Sequence, residues 1–473
     1  MFFKRFYDDG LAQASYLIGC DGTGEAIVID ANRAIATYIA AAAAEKLRIV
    51  AVTETHIHAD YLSGSRELAR ATGATLYLSA EGGEDWHYRF AAAERAQLLR
   101  DGDQVRIGMV RLDVVHTPGH TPEHLSFLVT DTAASERPVG LCSGDFVFVG
   151  DVGRPDLLER AANVANTMEV AAHQLFHSLE RFRALPDYVQ VWPCHGAGSA
   201  CGKALGAMPQ STVGYERIAN WGVSATHEDA FVQDVLAGQP EPPVYFATMK
   251  RLNRDGPPIL GEMPTPKPLE ATALTPAVLR EGIVVDIRAA DDFAAGYIPG
   301  TLNIPFGKTF STWAGWLLPY NRDVVLIAND AAQAARATRE MAMIGLDHVA
   351  GFTTAEAVTA WNAAGHGIET IPQSTGAEMA PRIAAHEVTV VDVRNHSEFA
   401  QGHIPGALHM PVGHLNARLA EIPRDKPIVL QCQGGARSAI ASSVLRRAGI
   451  RDIVNLRGGF GDWEREGHPV SHV

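Results

Sequence analysis

The sequence predicts an α/β protein built of several domains. Three observations carry this: apolar β-rich runs alternate with helical patterns through the first half, a proline- and glycine-rich stretch breaks the middle, and the second half repeats itself. At 473 residues the chain is too long for one core, because domains run to roughly 100–200 residues. In the first half, AIVID (26–30), IVAVTE (49–54) and VRLDVVH (110–116) read as strands, and 33–46 and 158–184 as helices. Residues 254–276, RDGPPILGEMPTPKPLEATALTP, have no apolar period and read as an interdomain linker, with a boundary near 263. Beyond it VVDIRAADDFAAGYIPGTLNIP (284–305) aligns without a gap with VVDVRNHSEFAQGHIPGALHMP (390–411), and WNAAGH (361–366) answers WEREGH (463–468). A first domain over 1–262 is therefore followed by two copies of one fold, over 263–370 and 371–473, each a parallel sheet covered by helices.

The formal charge of −14 disfavours nucleic acid or an anionic membrane as a partner, since both require clustered cations. The opening MFFKRFYDDG has no apolar run after its cations, and no stretch of about 18 apolar residues occurs, so the expected location is the cytoplasm. Five cysteines, Cys20, Cys142, Cys194, Cys201 and Cys432, are an odd and sparse set that predicts free thiols rather than a disulfide framework.

THIHADYLSG sets His56, His58 and Asp60 on alternate residues after the strand at 49–54. In an extended segment these aim two imidazoles and a carboxylate into one pocket. In HTPGHTPEH (116–124) the Pro118–Gly119 turn presents His120, with His116 and His124 unassigned. SGDFVF (143–148) places Asp145 after a strand and a glycine, and WPCHGAG (192–198) supplies His195.

These four motifs, in this order, resemble the metallo-β-lactamase superfamily over most of residues 1–250. The resemblance implies an N-terminal αββα sandwich ahead of the two repeated domains. Hydrolases of the glyoxalase II kind carry HxHxDH, whose last histidine helps to hold a second metal. Tyr61 stands there, and a phenol replaces an imidazole poorly toward zinc, so one metal is expected rather than two. GDVGRPDL (150–157) and HGAGSACGK (195–203) are similar to the persulfide dioxygenase branch. That resemblance implies one Fe(II) per chain held by His56, His120 and Asp145, a set that leaves three positions for O2 and a persulfide sulfur. It makes His58, Asp60 and His195 groups that orient ligands or hold water. Arg154 is left between a clamp for a carboxylate such as glutathione's and a surface salt bridge. Cys201 is left between a persulfide carrier and inert packing, while Cys20, Cys142 and Cys194 are expected to pack.

IVLQCQGGARSAIASSVL (428–445) reads as a buried strand, a small-residue loop and a helix from about Ala436. The loop N–H groups and the helix N-terminus converge on the cysteine sulfur and cradle an anion. With VDVR and GHIPGA upstream, the segment resembles the rhodanese family. That implies Cys432 as persulfide carrier, Arg437 as the group that steers an anionic donor or acceptor, and Asp392 and Arg394 as residues that hold the fold. The Cx4R loop is one residue shorter than that of the cysteine phosphatases, which favours sulfur over phosphate monoesters. The middle copy offers Asn329 and Asp330 where the cysteine is needed, and 263–370 contain no cysteine, so a structural or docking role is expected.

Together the resemblances imply oxidation of a glutathione-type persulfide by O2 to sulfite and thiol, with sulfur transfer to sulfite giving thiosulfate, in a homo-oligomer serving sulfide detoxification. The alternative is a two-zinc thioester hydrolase with regulatory rhodanese domains. A third reading is a persulfide-binding protein without catalysis.

Overall fold

The computed structural model describes residues 1–157, 167–203 and 205–472. It divides into two compact units, residues 1–263 with 343–345, and residues 264–342 with 346–473.

The first unit holds two six-stranded sheets. One is β1 (Phe2–Asp8), β2 (Gln13–Cys20), β3 (Glu25–Ile29), β4 (Arg48–Thr53), β5 (Thr75–Ser79) and β6 (Gln97–Leu99), in that order. The other is β7 (Gln104–Ile107), β8 (Val110–His116), β9 (Leu125–Asp131), β10 (Gly140–Gly144), β11 (Gln190–Pro193) and β12 (Ser211–Thr212), also in sequence order. Tyr16 and Ile18 of β2 point into the layer between the sheets, where they meet Leu112, Phe127 and Trp192. Leu17 between them points the other way, to Tyr38 and Ala42 of α1 (Ile35–Ala44) and Leu68 of α2 (Ser65–Thr72). Both faces of β2 are buried, so its apolar residues Tyr16, Leu17 and Ile18 run without alternation. On the far side α3 (Met168–Arg183) lays Leu175 and Leu179 against Leu141 and Val191. The layers run helix, sheet, sheet, helix, as the sandwich requires. Of the helix read over 158–184, the stretch 158–166 lies outside the described residues.

The second unit contains two parallel sheets of related order. The first is β14 (Leu302–Asn303), β13 (Ile283–Asp286), β15 (Val324–Ala328), β16 (Val349–Thr354). The other runs β19 (Leu408–His409), β18 (Thr389–Asp392), β20 (Ile428–Gln431), β21 (Ile453–Leu456), with β17 (Gln373–Ser374) added at the edge. The internal repeat thus maps strand onto strand. Each copy ends its first core strand in a buried Asp-x-Arg pair, Asp286 with Arg288 and Asp392 with Arg394, joined by bonds of 2.6–3.1 Å. The two copies touch through α8 (Ala436–Arg447), whose Ser443 hydroxyl accepts from the backbone of Asn303 at 2.9 Å. Among the described residues no helix is long and apolar enough to cross a membrane.

Candidate functional site

Strands β4, β8, β10 and β11 finish on one rim of the sandwich, and the four motifs follow directly from their ends. There one ligand atom each of His56, His120 and Asp145 lies within 4.8 Å of the others, all three side chains being buried. His56 Nε2 is 3.7 Å and His120 Nε2 3.4 Å from Asp145 Oδ2.

The hydrogen bonds behind the rings fix their tautomers. His120 Nδ1 faces the Arg154 carbonyl at 3.0 Å, and a carbonyl only accepts, so Nδ1 carries the proton and Nε2 presents a lone pair. Thr55 Oγ1 directs its proton to Asp30 at 3.0–3.1 Å, so it accepts from His56 Nδ1 at 2.9 Å and leaves that Nε2 bare as well. Burial, followed by the neighbouring imidazoles, pulls His56 well below the usual histidine range, and burial lowers His120. Among the described residues neither oxygen of Asp145 accepts an aligned hydrogen bond. Two neutral imidazoles and the Asp145 side chain, buried and turned toward one another, make a donor set that fits a divalent metal.

Asp60 and His195 stand beside this cluster. His195 donates from Nδ1 to the Ala12 carbonyl at 3.0 Å, and its Nε2 approaches Asp60 Oδ2 at 3.3 Å and Asp145 Oδ1 at 3.5 Å. Cys201 Sγ joins the group of Asp60 and His195. Burial, then the charges of Asp145 and Asp60, pushes its thiol far up, so it stays protonated.

The chain bends at Thr55 and His56 instead of continuing extended. His58 packs on His56, ring centroids 4.2 Å apart, outside the three-membered ligand set. Its Nε2 bonds Asp30 Oδ1 at 3.1 Å, and although burial pulls it down, Asp30 outweighs this and raises it to about 9. Arg154 differs from both expected roles. It is fully buried, so it forms no surface salt bridge, and it offers no free fork to a substrate either: Nε and one terminal nitrogen grip Asp156 at 2.7 and 2.8 Å, and the other donates to the Ala200 carbonyl. Its backbone carbonyl, not its charge, serves the site through His120. Tyr61 is buried under His58, with ring centroids 4.5 Å apart, and its hydroxyl donates to the Asp30 carbonyl at 3.3 Å.

Several contributors carry no sequence signal. Asp30 ends AIVID, inside an apolar run. His124 was visible but unassigned: it stacks on His56 at 5.0 Å, donates to Thr117, and accepts from the Asp145 backbone N–H at 3.1 Å. A cavity over the cluster is lined by Ile57, Ala59, His120, Trp86 and Lys250 among others. Lys250 lies on Trp86, 3.7 Å from its centroid, and burial lowers it to about 8.

In the second unit Cys432 is buried at the end of β20, and Gly435 N–H donates to its sulfur at 3.1 Å from the first turn of α8. Arg437 lies on the same helix but is bound by two bonds of 2.6 Å to Glu398 of α7 (His396–Gln401). Arg394 holds Asp392, the Gly402 carbonyl and Gln433, which ties the sulfur loop to the frame as expected of a fold-holding residue. In the other copy the corresponding turn is closed locally, the Gln333 side chain accepting from the Asn329 N–H and the Gln333 N–H donating to the Asp330 carboxylate, both at 2.7 Å.

Residues 8–195 match the metallo-beta-lactamase superfamily, and residues 270–363 and 375–466 each match the rhodanese-like domain. A solved metallo-beta-lactamase from Staphylococcus aureus subsp. aureus COL is 42% identical, with a TM-score of 0.68 over 75% of this chain and 99% of that one. The chain belongs to the metallo-beta-lactamase superfamily. It carries two rhodanese-like domains behind its metallo-beta-lactamase domain. A sulfurtransferase of Allochromatium vinosum is 43% identical over 18% of this chain and 78% of its own length. A hydroxyacylglutathione hydrolase of Methylococcus capsulatus is 32% identical over 38% of this chain and 60% of its own. The metallo-beta-lactamase fold implies a metal cofactor, for which the His–Asp cluster offers the ligands, and the two kinds of domain mark the chain as an enzyme.

Proposed function

We propose that the metallo-beta-lactamase domain is a persulfide dioxygenase with one ferrous ion, and that Cys432 is the sulfur carrier of a thiosulfate-forming sulfurtransferase. The observation that carries the reading is the three-membered cluster of His56, His120 and Asp145, with Tyr61 where a binuclear hydrolase needs another imidazole. Burial keeps the Tyr61 phenol far above its ordinary range, so it remains neutral and bonded to Asp30. Iron held by these three groups would supply the redox chemistry that joins O2 to a persulfide sulfur.

The chain's own residues do the rest. Thr55, the Arg154 carbonyl and His124 set the directions of the three ligands. Lys250, at the wall of the cavity beside His120, supplies a cation for an anionic thiol, and Trp86 and Phe246 give it an apolar body. Overall a glutathione-type persulfide and O2 yield sulfite and thiol. At Cys432 the sulfane sulfur of the cysteine persulfide passes to sulfite, the S–S bond breaks, and the thiolate leaves with the electron pair while thiosulfate forms. Removal of sulfide-derived persulfide is the purpose assigned to the pair.

Oxygen uptake by iron-loaded protein with glutathione persulfide tests the reading, and absence of uptake sinks it. A two-zinc thioester hydrolase is the second reading, favoured by Asp60 and His195 beside Asp145 and by the hydroxyacylglutathione hydrolase relatives. Metal analysis separates them: about one iron per chain for the dioxygenase, about two zincs for the hydrolase.

A further inference from the structure

Helix α3 carries His173 and His177 four residues apart, so the two imidazoles stand one turn from each other on a single face. Opposite them is Glu228, the first residue of α4 (Glu228–Leu236). Leu175, Phe176 and Leu179 of α3 share one buried apolar cluster with Phe231 and Val232 of α4, and the rings of Phe176 and Phe231 are 5.5 Å apart. This packing fixes the seam between the helices, and the three polar side chains are presented along its edge.

Glu228 Oε1 lies 2.7 Å from His173 Nδ1 and 3.2 Å from His177 Nε2, so one carboxylate oxygen is shared by both imidazoles. The other nitrogen of His177, Nδ1, faces Glu180 Oε2 at 3.5 Å. A neutral imidazole has one N–H and one lone pair, whereas an ionised carboxylate only accepts. With both of its nitrogens facing carboxylates, His177 is one positive charge short, and either a second proton or a cation at Nε2 supplies it. Two histidines at i and i+4 of a helix, a carboxylate from a second element, and a further carboxylate behind one ring to hold its direction are the parts of a metal site. The side chains of His173, His177 and Glu228 are 40%, 61% and 33% exposed, so small rotations bring three donor atoms onto one ion and leave its remaining positions to water. Mixed imidazole and carboxylate donors suit zinc and its neighbours rather than magnesium or calcium, which take oxygen.

We propose that His173, His177 and Glu228 form a second metal site on the metallo-beta-lactamase domain, for a divalent ion of the zinc class, which ties α4 to α3. The site shares no residue with the cluster of His56, His120 and Asp145, and it stands whichever reaction that cluster performs.

Equilibrium dialysis of the iron-loaded full chain against zinc tests the assignment. The parent is expected to take up about one zinc that His173→Ala and His177→Ala bind at least about tenfold more weakly. Both histidines are partly exposed and lie outside the apolar cluster, so these variants should fold as the parent does. Glu228→Gln keeps an acceptor for an imidazole N–H but offers a poor ligand, and it should weaken zinc to a similar degree. Zinc entering the cluster of His56, His120 and Asp145 is indifferent to these substitutions, so the variants separate the two sites. Zinc should also raise the melting temperature of the parent, and His177→Ala should lose that rise while melting as the parent does without added zinc. Equal uptake by the parent and all three variants, no uptake up to about 1 mM zinc, or a rise in melting temperature that persists in His177→Ala overturns the assignment.

Discussion

At residue 30 one carboxylate accepts from the Thr55 N–H at 2.7 Å, from the Thr55 hydroxyl and from His58, while its own backbone adopts φ 56°. A non-glycine residue there is strained, and three bonds to one side chain hold it in place. Nothing in AIVID marks this duty, because a hydrogen-bonding hub is defined by residues distant in sequence. His56, His120 and Asp145 were legible since each sits in a motif at a strand end, whereas the bond of His58 to Asp30 was not, because its partner lies 28 residues away. Glu123 gives a test at this scale. Burial raises its carboxyl from 4.5 to about 7, while its Oε1 accepts from the Ile57 N–H at 2.7 Å. The folded state therefore holds a proton that the unfolded chain releases, and stability falls as pH rises from about 4.5 to 7. Glu123→Gln keeps the acceptor and removes the titration. In metal-free protein its stability relative to the parent should grow between pH 5 and pH 8, by at most about 3 kcal/mol, in denaturant unfolding. A constant difference would refute the assignment.

Among the elements, the strand-to-loop junctions hold the site in register. Gly144, the last residue of β10, has φ 54°, and a Cβ there would lie 2.5 Å from His124 Nε2 and 2.6 Å from Thr55 Oγ1. Gly73, which closes α2, has φ 70° and open space around it. Gly73→Ala should therefore lose only about 1 kcal/mol from the backbone. Gly144→Ala adds a clash with the two residues that orient Asp145 and His56, and should lose about 2–4 kcal/mol together with most of the bound metal. Urea unfolding and metal analysis of the two variants check the contrast, and equal losses would contradict it. The elements themselves were largely readable: VRLDVVH is β8 residue for residue, and the helix after Cys432 starts at Ala436. The strand β17 was not, since two residues paired at a sheet edge leave no periodic trace.

For the whole molecule, the proposed pairing of two chemistries on one chain predicts a change of product rather than a loss of turnover when one is removed. Cys432→Ser lacks the sulfur proposed to carry the persulfide. With glutathione persulfide its oxygen uptake should persist while thiosulfate falls at least about tenfold and sulfite accumulates in its place. Ion chromatography of the products reads this, and thiosulfate formation at the parental rate would exclude Cys432 as carrier. The duplication was plain in the sequence because strands in corresponding places share the VVDxR and IPG signatures. The cluster of His173, His177 and Glu228 was not, because its carboxylate lies 55 residues from the first imidazole.

The Glu398–Arg437 fork bears on what the sulfur loop ignores. A guanidinium already answered by a carboxylate has little left for chloride or phosphate, which abound in any cell and would otherwise crowd a cationic pocket. Only a reactant drawn to sulfur itself gains by coming close. The clasp thus keeps the doorway quiet between turnovers, and discrimination against bystander ions is built in before any substrate arrives.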